Sequence, residues 1–148
     1  MAGTLLAARE AVMAPIRPIL RAADVTEQQW RVLRVLAGSE SLDVSSIATC
    51  ALLHPPSVTR ILRELGERGL IVRSIDNRDS RRSIVAITQA GIALIDDTGQ
   101  HTVQVLQAYE DAFGSERLKA LQADLVDFTR AIAGVTLAEL PPATSAGK

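Results

Sequence analysis

The stretch Pro55-Pro56-Ser57-Val58-Thr59-Arg60-Ile61-Leu62-Arg63-Glu64-Leu65, followed after Gly69 by Ile71-Val72-Arg73-Ser74-Ile75, decides the fold of this 148-residue chain. Val58, Ile61, Leu62 and Leu65 recur at helical spacing and form one apolar stripe. Proline suits the first turn of such a helix, where its missing N–H is not needed. Gly69 ends the helix, and Gly66 in its last turn is a weakness of about 1 kcal/mol against Ala. The period then changes from 3.6 to 2. Ile71, Arg73 and Ile75 alternate with Val72 and Ser74, and Ile84-Val85-Ala86-Ile87 follows a polar run from Asp76 to Arg82. This predicts a β-hairpin with a long, Arg-rich tip. Upstream, Asp43 can cap a short helix to about Leu52 that buries Ile47 and Ala51, and His54-Pro55-Pro56 makes the turn. Two short helices about a tight turn form a helix-turn-helix, and the hairpin behind them is a wing.

The flanks read as helices. Leu5, Val12, Ile16 and Ile19 predict a helix from Thr4 to Ala23, kinked or broken at Pro15 and Pro18. Thr26-Glu27-Gln28-Gln29 is a capping-box start for a helix to about Ala37, with Trp30, Leu33 and Leu36 inward. Thr88 caps a long helix carrying Ile92, Ile95, Gly99, Thr102, Leu106, Tyr109 and Phe113. After Gly114 a last helix carries Leu118, Leu121, Leu125, Phe128, Ile132 and Val135. Both series are heptad-like seams that one winged domain is too small to cover. The fold class is therefore mainly α with a small β-hairpin wing (α+β). Residues 25–88 form the winged helix-turn-helix, 4–24 and 89–138 a helical dimerisation region, and 139–148 a disordered tail.

Composition narrows the function. The chain is 47% hydrophobic and 22% charged, enough for a core built from aliphatic side chains. It has no apolar run long enough for a membrane span and no secretory leader pattern, so no membrane partner is expected. The single cysteine, Cys50, forms no internal disulfide and fits the reducing cytoplasm. Net charge is −1, but residues 55–88 hold seven Arg against four acids, whereas residues 89–148 hold four basic residues against eight acids. One positive segment on a near-neutral chain suggests a surface built to meet anions. A non-specific architectural DNA binder, one alternative, would spread its positive charge over the whole protein. No phosphate loop, nucleophile elbow or metal-ligand motif appears, so neither enzyme activity nor a cofactor or metal is expected. His54 and His101 stand far apart with no close-spaced ligand motif.

With the apolar stripe buried, the outer face of the second helix offers Pro56, Ser57, Thr59, Arg60 and Arg63 to duplex DNA. Arg60 or Arg63 can fork onto guanine, and Ser57 and Thr59 can take phosphate with the N–H groups of the helix start. The competing reading is a solvated face on which Arg63 pairs with Glu67. In the wing, Arg78, Arg81 and Arg82 are candidates for a narrow minor groove, with Asp79 bracing Arg81. The competing reading there is a charged loop that keeps the hairpin soluble.

Thr26…Trp30…Leu33…Leu36, Ile47-Ala48, Pro56-Ser57-Val58-Thr59-Arg60-Ile61-Leu62, Leu65…Gly69-Leu70-Ile71…Arg73, Asp79-Ser80-Arg81 and Ile87-Thr88…Gly91 together resemble the MarR family of transcriptional regulators. The likeness runs from about Thr4 to Ala138. Thr26-Glu27-Gln28-Gln29-Trp30-Arg31-Val32-Leu33-Arg34 is most similar to the regulators of homoprotocatechuate and related aromatic-acid degradation. The resemblance implies a homodimer on a pseudo-palindromic operator, and a repressor released by a small aromatic carboxylate or its thioester. Pro15 and Pro18 depart from the family pattern in the first helix, and Gly66 in the recognition helix.

An aromatic acid needs an Arg for its carboxylate and an apolar slot for its ring. The candidates are Met13, Arg17, Trp30, Arg34 and His54. Against them stand plainer roles: Trp30 as a core anchor, His54 as a polar turn residue, Arg34 as a solvent-facing one. Glu27 and Arg31 read as an i,i+4 pair. A redox-responsive repressor sensing through Cys50 is the other alternative. Its apolar neighbours in sequence predict core packing instead.

Overall fold

The computed structural model describes residues 1–75 and 83–134. The elements run α1 (Ala2–Met13), α2 (Ile16–Ala22), α3 (Glu27–Ala37), β1 (Leu42–Asp43), α4 (Val44–Ala51), α5 (Pro55–Glu67), β2 (Ile71–Ile75), β3 (Ser83–Ile87), α6 (Gln89–Phe113) and α7 (Ser115–Ile132). The chain divides into two compact units, one from Met1 to Val105 and one from Leu106 onward.

The first unit holds the core. Val32, Leu33 and Leu36 of α3, Ile47, Ala48 and Ala51 of α4, and Val58, Ile61, Leu62 and Leu65 of α5 are buried together with Leu20, Leu70, Ile71, Val85 and Ile95. Each fully buried aliphatic side chain contributes about 1.5–3 kcal/mol. The stripe expected on α5 is thus the inner face of that helix. Trp30 lies at the margin of the cluster, half-buried, because α3 turns Val32, Leu33 and Leu36 to its centre.

Local signals set the boundaries. Thr26 Oγ1 accepts from Gln29 N–H (3.1 Å) and Gln29 Oε1 accepts from Thr26 N–H (3.0 Å), completing the capping box of α3. Asp43 Oδ1 accepts from Ser46 N–H (2.8 Å) at the start of α4. Thr88 accepts from Gly91 N–H (3.2 Å) at the start of α6 and donates to Gly69 C=O (2.7 Å). That tie brings α6 so close to the end of α5 that a side chain on Gly91 would collide with the Leu70 carbonyl and come within 2.6 Å of Ile87 Cγ1. Gly69 supplies a left-handed backbone, φ +68°, where the chain leaves α5 for β2.

The hairpin is one part of a three-stranded antiparallel sheet in the order β1-β3-β2. Ile71 pairs with Ile87 and Arg73 with Val85, as the alternation requires, and Leu42 pairs with Val85 from the other side. The two-residue β1 has no periodicity of its own and was not expected. The long N-terminal helix is two helices, broken after Met13 and resumed at Ile16.

In the second unit, α7 has no buried residue, and Leu121, Leu125, Val126 and Ile132 are all exposed. Leu106 and Phe113 at the end of α6 are exposed as well. Along α6 only the N-terminal half of the seam, Ile95 with Gly91 and Thr98 beside it, is buried. No helix among the described residues is long and apolar enough to cross a membrane. The expected seam residue Val135 and the tail 139–148 lie outside the described residues.

Candidate nucleic-acid interface

The outer face of α5 and the strand that follows it form one concave surface. Pro56, Thr59, Arg60 and Arg63 line it from the helix, Val72 and Arg73 from β2, around a groove of about 710 Å³. Four of the helix residues expected to meet DNA are therefore brought together, and Ser57 sits beside them, half-buried. Gly66 also lines the groove, and a Cβ there would meet nothing within 4 Å. Arg73 joins the site without having been singled out. Its signal was a charge at a position that the alternation phases inward: Arg73 lies in the middle of β2, an edge strand of the sheet, and is exposed there. Arg78, Asp79, Arg81 and Arg82 lie outside the described residues.

The helix start differs from expectation in one respect. Pro55 and Pro56 have no N–H, and Val58 N–H already donates to His54 C=O (3.1 Å). A helix N-terminus normally offers several amide donors to a phosphate, and here the double proline removes two. Thr59 Oγ1 is itself engaged, donating to Pro55 C=O (3.2 Å). What remains for an anion on this face is the Ser57 N–H and hydroxyl at the helix start and the guanidinium groups. Arg60 donates through Nη1 to Glu64 Oε1 (2.7 Å), whereas Arg63 stands 3.9 Å from Glu67. The Arg63–Glu67 pair exists, but at this distance and exposure it holds the side chain only weakly.

The turn between α4 and α5 is held from below. Leu52 adopts φ +53°, a left-handed conformation that costs a branched residue about 1 kcal/mol. Arg31 Nη1 reaches the Ala51 carbonyl (3.0 Å) and the Leu52 carbonyl (3.4 Å). These are carbonyls at a helix C-terminus, where a cation is favoured. Arg31 is thus not the i,i+4 partner of Glu27. Glu27 is instead one corner of a ring in which Arg9 and Arg17 each bridge Glu10 and Glu27, at 2.5–2.7 Å. Hydrogen bonding from Arg17 outweighs desolvation and holds the Glu27 carboxyl below its ordinary range.

The residues suggested for an aromatic acid are dispersed. Met13 and Trp30 are half-buried against the core, and Arg34 and His54 are exposed. Arg17 lines a cleft with Leu20, Arg21 and Val25, but its Nε and Nη2 are spent on Glu27 and Glu10. A second cleft, of about 530 Å³, lies between α2 and α6. Pro18, Ile19, Ala22 and Ala23 line one side, Asp97, Thr98, His101 and Gln104 the other. The Thr98 hydroxyl is buried there with no hydrogen-bond partner. The sequence reading missed this cleft because Thr98 falls between seam positions. Cys50 is exposed, contrary to the core packing expected of it, because α4 turns Ile47, Ala48 and Ala51 inward and Cys50 away. No group of three metal-ligating side chains occurs among the described residues.

A helix-turn-helix with a sheet-borne wing, and a groove lined by Arg60, Arg63 and Arg73, defines a winged-helix DNA-binding protein. Comparison with known proteins specifies the family. The MarR family model matches residues 25–83. The chain is 38% identical over 126 residues to the HTH-type transcriptional regulator FarR of Neisseria gonorrhoeae, covering 85% of this chain and 86% of that one. It is 36% identical over 124 residues to the homoprotocatechuate degradative operon repressor of Escherichia coli, covering 84% of each. The crystal structure of NadR in complex with 4-hydroxyphenylacetate superposes with a TM-score of 0.77 at 36% identity, over 86% of this chain and 90% of that one. The chain belongs to the MarR family and is a DNA-binding transcriptional regulator.

Proposed function

We propose that this protein is a homodimeric repressor that binds a pseudo-palindromic operator and is released by a small aromatic carboxylate or its thioester. The observation that carries the DNA half of this reading is the groove joining the outer face of α5 to Arg73 of β2. In it Arg60 and Arg63 contact bases and phosphates, and Pro56, Ser57 and Thr59 approach the backbone. Arg78, Asp79, Arg81 and Arg82, between β2 and β3 in sequence, are the wing residues proposed to meet the minor groove. Dimerisation is supported by the uncovered apolar side chains of α7 and of the end of α6, which a second copy covers. Such a protein acts in the cytoplasm, where the bacterial chromosome lies.

The effector class is supported by the E. coli relative, named as repressor of a homoprotocatechuate operon, and by the 4-hydroxyphenylacetate held by NadR. Arg17 gives Nε to Glu27 and Nη2 to Glu10, so a ligand carboxylate there either takes the remaining Nη1 donors or exchanges with one of the two glutamates. Met13, Trp30, Arg34 and His54 remain the other candidates for that site. An exchange of this kind couples ligand binding to the ring that ties α1 and α2 to α3. It is one way to shift the dimer between DNA-competent and incompetent states. The second reading, redox control through Cys50, is favoured by the exposure of that thiol.

A band-shift titration with the protein's own upstream DNA tests the proposal, with 4-hydroxyphenylacetate and a series of aromatic acids added. Sequence-selective binding relieved by one of the acids is the expected outcome. Binding no tighter than to random duplex contradicts it. Relief by peroxide that disappears in Cys50→Ser would establish the redox reading in its place.

A further inference from the structure

Two arginines on the outer face of α5 are paired i,i+4 with glutamates, and the two pairs differ. Arg63 and Glu67 are both about two-thirds exposed and stand 3.9 Å apart. Arg60 and Glu64 are closed at 2.7 Å, and the Glu64 side chain is 30% exposed. Helix spacing is the same, so the difference lies behind Glu64. Its other oxygen, Oε2, accepts from Gln29 Nε2 at 3.0 Å. Gln29 is buried, and its Oε1 is already fixed by Thr26 N–H. Both ends of that carboxamide are committed, so it cannot rotate away without leaving a buried polar group unpaired.

We infer that Gln29 and Glu64 are positioning residues that hold the Arg60 guanidinium in one orientation for base recognition. The inference rests on the reading of this face as the DNA surface. An exposed Arg normally samples many rotamers, and a forked contact to a base requires one of them. Glu64 engages one of the five N–H donors of Arg60 and leaves four for the duplex. Ordering the side chain before binding removes that cost from the specific complex. It also assigns the two arginines different work: Arg60, anchored, discriminates between sequences, and Arg63, loosely paired, follows the phosphates whatever the sequence.

The test is a double-mutant cycle read as a specificity ratio. The ratio is the affinity for the tightest duplex from a random-pool selection over that for a scrambled duplex, at one salt concentration. Gln29→Met removes the donor to Glu64 without placing a second carboxyl beside it, and Thr26 Oγ1 still caps the helix by accepting from the backbone N–H of residue 29. Glu64→Gln, on a half-exposed side chain, is the second variant should the first fold poorly. Each is expected to lower the ratio about tenfold in the native background and to leave it unchanged in Arg60→Ala. The same loss in both backgrounds, or no loss in the native one, overturns the positioning role. A separate result, Arg60→Ala with an undiminished ratio, would instead remove Arg60 from the DNA surface.

Discussion

Arg31 and Leu52 meet at the turn of the helix-turn-helix, and each yields a measurable expectation. Leu52 is 82% exposed and left-handed, so Leu52→Gly loses almost no packing and relieves backbone strain. Stability should rise by about 0.5–1 kcal/mol in urea unfolding with an unchanged m-value. Arg31→Ala removes a charged donor from two carbonyls and should cost about 1.5–3 kcal/mol. Gly91→Ala should destabilise by at least about 2 kcal/mol, since backbone and the Ile87 side chain already fill its Cβ position. At this scale the sequence was legible wherever a residue acts on its own chain neighbourhood. The capping box at Thr26, the caps at Asp43 and Thr88 and the stop at Gly69 are all present. It was illegible where partners come from elsewhere. Glu27 and Arg31 satisfy the helical pairing rule, yet each finds a better partner outside α3, with Arg17 for the one and the end of α4 for the other.

Among the elements, the break at Ala14-Pro15 is bridged by the ring of Arg9, Glu10, Arg17 and Glu27. The carboxyl of Glu27 is held below its ordinary value of 4.5, chiefly by Arg17. A depressed acid stabilises the fold above its unfolded pKa, and that contribution is lost as pH falls through the folded one. Arg17, whose own pKa is raised by the same bonds, stays protonated throughout this range. Native protein should therefore lose more stability than Glu27→Gln as pH is lowered from 6 through and below about 4.5. The difference in thermal midpoint between the two proteins should shrink in that window. Equal slopes for both proteins would show that the ring carries no linkage. The broken first helix could be anticipated because proline acts locally, whereas the two-residue β1 could not, because its pairing with β3 alone defines it.

For the whole molecule, the apolar seams on the two long helices were visible as periodicity, and the exposure of Leu121, Leu125 and Ile132 in the single chain is the physical counterpart. Sedimentation should give a dimer at micromolar concentration, and paired Leu121→Glu and Leu125→Glu substitutions should shift it to monomer while abolishing operator binding. A native protein that sediments as a monomer would refute this. The proposed effector site was the least legible part, since candidates chosen by residue type need not share a pocket. The outward face of α5 was the most legible part of the proposed DNA surface, because helix periodicity fixes which side chains turn away from the core. On β2, by contrast, both phases after Ile71 are exposed, and alternation did not single out Arg73. The direct test of that surface is the affinity of native, Arg63→Ala and Arg73→Ala proteins for the upstream duplex across a salt series. Each substitution should weaken binding and reduce the dependence of log K on log salt by about 1. Native affinity and an unchanged slope in both variants would contradict the assignment of the α5–β2 groove to DNA.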